Sequence, residues 1–157
     1  MSKASTDSEG RHVVVSNRKA RYEYHVLQTH EAGMVLQGTE VKSLRNGKAN
    51  LQDAFARFHG GELWLHNLHI SPYEAGNRHN HEPLRPRKLL LHRREMRRLV
   101  GEAEQEGLTL VPLEIYFRGG IAKLTLALVR GKKLHDKREA VKTRDAKREM
   151  DRAYKLS

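Results

Sequence analysis

The sequence predicts a mainly β protein: a small antiparallel β-barrel with two or three short helices and a disordered basic C-terminal tail. Three observations predict this fold class. Short segments between Val13 and Val129 alternate apolar and polar residues and are separated by glycine-rich turns. Strand and helix patterns do not alternate regularly, which disfavours a parallel sheet. Residues 131–157 contain too few large apolar side chains to cover a core. Closing the meandering strands into a barrel would hide their edges.

The composition points to a polyanionic partner. The 157-residue chain has a formal net charge of +11 and a sequence pI near 10.1, which favours nucleic acid, an anionic membrane or an acidic protein as partner. No apolar run is long enough for a membrane span, and no signal peptide is visible. The chain has no cysteine, which excludes disulfides and thiolate zinc sites. We therefore expect a cytoplasmic protein that binds RNA or DNA.

The chain divides into three predicted segments. Residues 1–11 are rich in Ser, Thr, Asp and Glu and lack periodicity, which predicts a disordered leader. Residues 12–130 hold most of the apolar side chains and are expected to form the barrel. Residues 131–157 carry ten Lys/Arg against five Asp/Glu, so this tail contributes +5 of the net charge. The tail is expected to be mobile in isolation, with marginal helicity.

The first half of the barrel segment predicts two strands and a helix. Residues 22–27 alternate in polarity, which predicts a strand. Residues 31–33 predict a bend, and residues 34–36 a second short strand. A helix is expected over 38–46, with Thr39 as its cap.

The second half predicts two hairpins around a helix. Glycine pairs at 60–61 and 119–120 are typical of hairpin turns. Residues 71–87 contain three of the four prolines, which predicts a long, mobile, polar loop. Trp64 is expected to pack in the core or on the sheet, with base stacking as the alternative. The expected elements are strands at 53–58, 62–70, 88–91, 110–118 and 121–130, and a helix that contains Met96 to Ala103 and stops at Gly107.

No pattern of catalysis or metal binding is evident. The string Arg78-His79-Asn80-His81 loosely resembles a His-Asn-His motif, but no acidic cluster lies near it in sequence. Nucleotide-binding loops and nucleophile elbows are absent from the sequence. We therefore expect no enzymatic activity, no cofactor and no metal, with a His-dependent nuclease as the alternative.

Two groups of basic residues are candidates for binding phosphate, because guanidinium groups form bidentate hydrogen bonds to it. One group begins with Asn17 and contains Arg18, Lys19 and Arg21. The second group comprises Arg85, Arg87, Lys88, Arg93, Arg94, Arg97 and Arg98. The alternative interpretation of its helical members is that they form a solvated helix face.

The tail has a weak helical pattern. As a helix, residues 139–157 would span about 28 Å. Such a basic rod suits a narrow anionic channel. The alternative is a membrane-surface helix, which the wide polar face and the scarcity of apolar anchors disfavour.

Five residue strings, taken in order, closely resemble the SmpB family of SsrA-binding proteins. The resemblance covers roughly residues 13–157, but the leader and the loop at 74–86 do not match. The strings are Asn17–Tyr24, Glu31–Arg45, Gly47–Asn50, Arg87–Leu91 and Gly131–Arg138.

The resemblance implies a barrel of the oligonucleotide-binding-fold type, no catalysis, and transfer-messenger RNA as the partner. It implies that Asn17, Glu31 and Leu90 belong to the RNA-binding surface. From their charge, we expect neighbouring cations to contact phosphate. These are Arg18, Lys19 and Arg21.

The resemblance also implies that the tail enters the empty messenger channel of a stalled ribosome, against small-subunit rRNA. His135 would stack on a decoding-centre base, and residues 139–157 would form the channel helix. Alanyl-tRNA synthetase and elongation factor Tu are implied as indirect partners. The alternative on the same barrel is a structural ribosomal or general single-strand-binding protein. The tail residues implied beside His135 are Gly131, Lys132, Lys133, Asp136, Lys137 and Arg138.

Overall fold

The structure of the protein, a computed structural model, describes residues 10–132 and 134–156. The strands are β1 (Arg11–Ser16), β2 (Tyr24–Met34), β3 (Ala49–Asn50), β4 (Phe55–His59), β5 (Glu62–His66), β6 (His69–Ile70), β7 (Arg87–Leu90), β8 (Thr109–Arg118) and β9 (Ile121–Gly131). The α-helices are α1 (Arg18–Glu23), α2 (Gly38–Arg45), α3 (Arg93–Glu106) and α4 (Leu134–Leu156), and a 3-10 helix covers Glu74–His79.

Seven strands form one antiparallel sheet that closes on itself. Its order is β1-β8-β4-β5-β7-β2-β9, and an additional pairing of β8 with β9 completes the ring. β8 pairs with β4 at its beginning, where Ala56 lies opposite Leu110. Farther along, the same edge of β8 pairs with β1, from Glu114 to Arg118. The predicted mainly β barrel of the oligonucleotide-binding-fold type is therefore confirmed.

The core fills the barrel with side chains that alternate along β9. Leu124, Leu126 and Leu128 of β9 are buried inside, as their spacing predicts. β8 and β9 meet at Gly119 and Gly120, whose φ angles of 56° and 81° fit the predicted two-residue turn.

α3 packs against the barrel core through one apolar stripe. Leu99 is 1% exposed within the core, and Met96, Val100 and Ala103 pack beside it. The helix ends at Gly107, whose φ of 63° is the left-handed conformation that favours glycine at this position. The predicted helix and its end are confirmed.

α1 corrects the expectation that residues 22–27 form a strand. Asn17 caps this helix by accepting a hydrogen bond from the backbone N–H of Ala20 at 3.1 Å. Ala20 is buried in a small cluster on the outer side of the barrel, with Val111 and Val129 among its members. The alternation read at Tyr22 and beyond thus spans a helix end and the start of β2.

β2 is a single long strand, so the bend expected at residues 31–33 is wrong. The strand is held by continuous pairing with β9 from Thr29 to Gly33. Ala32 lies opposite Leu124 and is fully buried. Gly33 is needed for a close approach instead of a turn, since a Cβ there would lie 3.3 Å from the Cβ of Leu90.

α2 forms where the sequence predicts it, but Thr39 does not cap it. The N-cap residue is Gln37, whose backbone N–H donates to the Glu40 carboxylate at 2.9 Å. The Thr39 hydroxyl instead hydrogen-bonds Nδ1 of His81 at 2.9 Å. The cap moved because the Thr39 side chain is used to hold the loop that contains His81.

The loop at 71–87 is pinned to the body, contrary to the expectation of a mobile segment. Asn80 accepts a hydrogen bond from the backbone N–H of Tyr73 at 3.0 Å and donates to its carbonyl at 2.6 Å. The ring of His81 is 5% exposed and bonds the carbonyl of Ile70 at 2.8 Å.

Arg85 and Arg87 do not belong to a basic surface, which corrects their assignment to one. Arg87 is fully buried. Its Nε donates to the Glu40 carboxylate at 2.5 Å, and its Nη1 donates to the Leu68 carbonyl. Arg85 pairs with the same carboxylate. Burial raises the pKa of Glu40, but hydrogen bonds from Gln37, Arg85 and Arg87 outweigh it and hold that pKa below its usual value.

The two ends of the chain differ from the predicted boundaries by small amounts. β1 begins at Arg11, the last residue assigned to the leader, and residues 1–9 lie outside the described residues. The tail is helical from Leu134, before residue 139, where a channel helix was expected. The side chains of residues 142–150 are all exposed, so packing on the body does not hold this part of the helix. In the part of the chain that the structure describes, no helix is long and apolar enough to cross a membrane.

Candidate nucleic-acid interface

A carboxylate surrounded by cations lies on the outer face of β2, β8 and β9. We call Glu31, Tyr116, Arg118 and Lys123 the Glu31 cluster. The Glu31 carboxylate accepts a hydrogen bond from Nζ of Lys123 at 2.9 Å and pairs with Nη1 of Arg118 at 2.8 Å. Its side chain is 35% exposed. The cluster therefore presents a fixed acceptor flanked by two positive charges.

Tyr116 completes the cluster from beneath. Its ring is 1% exposed and lies between the guanidinium carbons of Arg11 and Arg118, 4.7 and 5.8 Å from the ring centroid. The hydroxyl donates to Glu31. Burial, followed by this hydrogen bond, raises the pKa of Tyr116 to about 12, so the hydroxyl remains a donor at neutral pH.

Glu31 is held in its ionised form. Hydrogen bonds from Tyr116 and then Lys123 lower the pKa of the Glu31 carboxyl below its usual value. Neighbouring Glu114 extends the surface: it pairs with Arg11 at 3.2 Å and accepts from Thr125 at 3.2 Å. An ionised carboxylate of this kind accepts hydrogen bonds from base amino groups or ribose hydroxyls, while the cations attract phosphate.

Leu90 lies beside this cluster. It is opposite Gly33 across the β2–β7 pair, and Gly33 is also paired with Lys123 of β9. Leu90 is 49% exposed, while its neighbour Leu89 faces the core. The structure thus brings two predicted site residues, Glu31 and Leu90, onto one continuous surface.

Asn17 is placed differently from the other predicted site residues. It is 2% exposed, and its amide nitrogen donates to the carbonyls of Leu51 at 3.1 Å and Pro112 at 2.8 Å. Its amide oxygen is used in capping α1. Asn17 therefore holds α1 on the barrel, and its polar atoms point inward.

The cations of α1 face outward on the same side of the barrel as the Glu31 cluster, but at the opposite end of that side. Arg18 and Arg21 are exposed. Lys19 forms an exposed pair with Asp53 at 3.1 Å, and this hydrogen bond raises its pKa. α1 packs near Val129, six residues along β9 from Lys123, or about 20 Å at the rise of an extended strand. The two groups are therefore separate patches along one face.

Sequence reasoning missed three members of the Glu31 cluster. Tyr116, Arg118 and Lys123 are on the β8–β9 hairpin, far along the chain from Glu31. The signal that could have found them is the outward position of charged residues in an alternating strand, as at Lys123 between the buried Ala122 and Leu124.

The tail begins against α1. Gly131 ends β9 opposite Tyr24. The backbone N–H of Lys132 donates to the Glu23 carbonyl at 2.8 Å, which locks the exit of the tail to the end of α1. Lys133 lies outside the described residues. The remaining tail site residues occupy the first turns of α4, and these are His135, Asp136, Lys137 and Arg138.

The histidine-rich loop is structural in its described part. Both ring nitrogens of His81 are used within the fold, by Thr39 and Ile70, whereas His79 is exposed. Among the side chains that the structure describes, no three His, Asp or Glu groups converge to hold a metal ion.

Comparisons with known proteins match this arrangement over nearly the whole chain. The family model described as SmpB protein matches residues 14–156. The SsrA-binding protein of Pelotomaculum thermopropionicum is 60% identical over 91% of this chain and 94% of its own length. That of Desulforudis audaxviator is 62% identical over 89% and 92%.

A solved structure supports the same assignment. It is described as "tmRNA-SmpB: a journey to the center of the bacterial ribosome" and is 57% identical to this chain, with a TM-score of 0.67. The match covers 81% of this chain and 93% of the solved one. From the matching fold, the family model and relatives at these identities, the chain belongs to the SmpB family.

Proposed function

We propose that the protein is a non-enzymatic RNA-binding adaptor, which binds the tRNA-like domain of transfer-messenger RNA (SsrA) and delivers this RNA to stalled ribosomes for trans-translation in the cytoplasm. The names of its relatives and the ribosome-bound SmpB structure support this function. The observation that carries it is the Glu31 cluster, a fixed carboxylate among cations on an exposed barrel face.

The two patches divide the work of RNA binding. Glu31 accepts hydrogen bonds from groups on a base or ribose, and Leu90 supplies apolar contact beside it. Arg18, Lys19 and Arg21 of α1 contact phosphates farther along. Asn17 acts through α1, because its buried amide fixes the position of that helix.

The tail serves the ribosome. As a helix, Leu134–Leu156 is about 34 Å long at the usual rise per residue, and it carries an excess of positive charge suited to the phosphate-lined messenger channel. His135, a residue of the first turn of α4, stacks on a base of the decoding centre. The flanking residues bond to small-subunit rRNA around it, and these are Gly131, Lys132, Lys133, Asp136, Lys137 and Arg138.

The remaining partners reach the protein through the RNA. Alanyl-tRNA synthetase charges the tRNA-like domain, and elongation factor Tu carries the charged complex. Both proteins act on the RNA, so they are indirect partners of this chain.

Substitution of Glu31 by glutamine tests the function at its central site. The variant keeps the shape of the side chain but removes its charge, so it loses charge-assisted hydrogen bonds. We expect affinity for transfer-messenger RNA to fall about tenfold in filter binding, while affinity for an unrelated RNA hairpin changes little.

Glu106→Gln is the matched control, because Glu106 is an exposed carboxylate that pairs with Arg130 at 3.9 Å and lies at the end of α3, not on the surface that carries Glu31 and Leu90. An equal loss of affinity for both RNAs in Glu31→Gln would show that only general charge was altered and would contradict the proposed site.

A further inference from the structure

α3 presents a strongly positive face to solvent. Four arginines, all exposed, fall within an arc of about 140° on the helix, opposite the stripe that contains Leu99. We call this set the α3 arginine face, and its members are Arg93, Arg94, Arg97 and Arg98.

Glu95 and Glu102, two of the four acidic residues of the same helix, are turned towards the barrel. The other two, Glu104 and Glu106, are exposed at the C-terminal end of the helix, beyond the arginines. Oε1 of Glu95 lies 2.6 Å from Nδ1 of His30. Glu102 accepts from Nε2 of Gln28 at 2.8 Å and pairs with Arg98 at 3.2 Å. Among the residues that the structure describes, no carboxylate pairs with the other three arginines of the face.

Apart from the pair between Arg98 and Glu102, the α3 arginine face does not stabilise the helix that carries it. Arg93 and Arg94 occupy the first turn, where the helix dipole favours negative charge. Arg93 with Arg97, and Arg94 with Arg98, are like-charge pairs four residues apart, which destabilise a helix. The charges therefore require an explanation outside the fold.

A glycine in the middle of the same face also indicates that a partner binds there. Gly101 lies on the exposed arc beside Arg97 and Arg94, in a helix interior where glycine is less stable than alanine. A Cβ at Gly101 would meet nothing within 4 Å, so packing within the chain does not require glycine. The missing side chain leaves the helix backbone open to close approach by a partner.

This face is separate from the Glu31 cluster. His30 and Glu31 are consecutive in β2, and consecutive strand residues point to opposite sides. His30 contacts α3, whereas Glu31 contacts Tyr116 and Lys123 on the outer face of the barrel. One RNA held on the Glu31 cluster therefore leaves the arginine face open.

We propose that the α3 arginine face docks on the sugar–phosphate backbone of an RNA duplex of the ribosome. Four guanidinium groups on an arc around an open backbone fit the wide, shallow minor groove of A-form RNA, where two phosphate rows flank a smooth floor. Ribosomal RNA is the source because transfer-messenger RNA is assigned to the other side of the barrel. This inference rests on the proposed function for that assignment alone.

A triple substitution of Arg93, Arg94 and Arg97 by glutamine tests the proposal. Full-length protein is titrated onto vacant small ribosomal subunits and, separately, onto transfer-messenger RNA, at several salt concentrations. We expect affinity for the subunits to fall at least tenfold and the salt slope of log affinity to drop by about 2, from the loss of phosphate contacts. Affinity for transfer-messenger RNA stays within twofold of the wild type.

Gly101→Leu provides a second variant that keeps every charge. A Cβ at this position meets nothing within 4 Å, and leucine is a better helix former than glycine. We therefore expect the thermal unfolding of Gly101→Leu to stay at or above that of the wild type, while subunit affinity falls several-fold. Gly101→Ala is its control and binds nearly as the wild type does. Unchanged subunit affinity in both the triple variant and Gly101→Leu overturns the proposal. So does an equal loss on transfer-messenger RNA. Failure of the wild type to bind transfer-messenger RNA would instead refute the proposed function.

Discussion

Tyr116 shows how a single buried residue can shape the surface that we propose binds RNA. Its ring is covered by Arg11 and Arg118, and its hydroxyl is committed to Glu31. Two cations and a carboxylate are thereby held in one arrangement before any RNA arrives. Such preorganisation reduces the entropy lost on binding.

The raised pKa of Tyr116 predicts a pH dependence of stability. The folded state holds the phenol proton up to a pKa of about 12, whereas the unfolded chain releases it near the ordinary value of 10.0. Between these values the folded state binds more protons, so Tyr116 lowers the stability as pH rises through this window. In urea unfolding from pH 8 to 12, Tyr116→Phe is expected to lose less stability than the wild type.

The comparison isolates Tyr116, because every other titratable group is common to both proteins. Parallel stability curves for the two proteins would contradict a raised pKa of the Tyr116 hydroxyl in the folded state.

Residue roles were the hardest feature to predict from sequence. Alternation in β9 correctly predicted that Leu124 and Leu126 are buried. The side of a strand on which a residue lies can be judged from residues only two positions away. The internal role of Asn17 depends on carbonyls 34 and 95 residues away. Tyr116, the hydrogen-bond partner of Glu31, lies 85 residues farther along the chain. No local pattern contains these pairings.

At the scale of elements, propensity and turn chemistry predicted α3 and the β8–β9 hairpin well. The errors lie where tertiary contacts override local pattern. The strand expected from Tyr22 begins only at Tyr24, because Asn17 caps α1 and Ala20 packs outside the barrel, which keeps Tyr22 and Glu23 in the helix. The loop at 71–87 is ordered because Asn80 and His81 find buried partners, which a count of prolines cannot reveal.

The buried pair between α2 and β7 predicts a large loss of stability without a specific loss of RNA binding. Glu40→Gln leaves the fully buried guanidinium of Arg87 without its counter-charge. Breaking a buried ion pair on one side costs about 3–5 kcal/mol. We expect a loss of about 3 kcal/mol in urea unfolding, since glutamine keeps one hydrogen bond.

Glu62→Gln is the control for the stability of the buried pair. The ion pair between Glu62 and Lys88 is exposed, and such a pair contributes about 0–1 kcal/mol to stability. The lowered pKa of Glu40 also predicts a pH dependence of stability. The stability contributed by the ionised Glu40 carboxylate is fully present above the usual carboxyl pKa of 4.5 and is lost as pH falls below it. Equal stabilities of the two variants would contradict a stabilising role for the buried pair.

On the scale of the whole molecule, charge is distributed over three separate surfaces: the outer barrel face with α1, the outward side of α3, and the tail. The barrel class followed from the strand count and the need to close the sheet. The strand order could not be predicted in this way. One edge of β8 pairs with β4 and then with β1, and its other edge pairs with β9. Such a pairing depends on contacts distributed over the whole chain.

The division between body and tail predicts that the two can be separated by truncation. Ending the chain after Lys132 keeps all of β9 and the bond from Lys132 to Glu23. It removes nine Lys/Arg and five Asp/Glu, which lowers the net charge from +11 to +7. Because residues 142–150 are exposed, we expect the unfolding free energy to change by about 0.5 kcal/mol or less. Affinity for transfer-messenger RNA should fall only through the weaker general charge.

Ala146→Pro separates the helix from its charge. Ala146 lies in the interior of α4, where proline costs about 3 kcal/mol of helix stability, and the substitution keeps every charge of the tail. If the tail must be helical in the messenger channel, this variant binds transfer-messenger RNA as the wild type does but fails to rescue ribosomes stalled on a message without a stop codon. Ala146→Ser, which keeps the helix, should retain rescue.

The truncated chain and the proline variant together separate the contributions of charge and helix. Normal rescue by both would mean that neither the helix nor the tail takes part. Normal rescue by the proline variant alone would show that charge suffices. The proposed helical rod predicts that both fail: the truncated chain lacks the rod, and the unfolded cationic segment of the proline variant must lose its conformational entropy inside the channel.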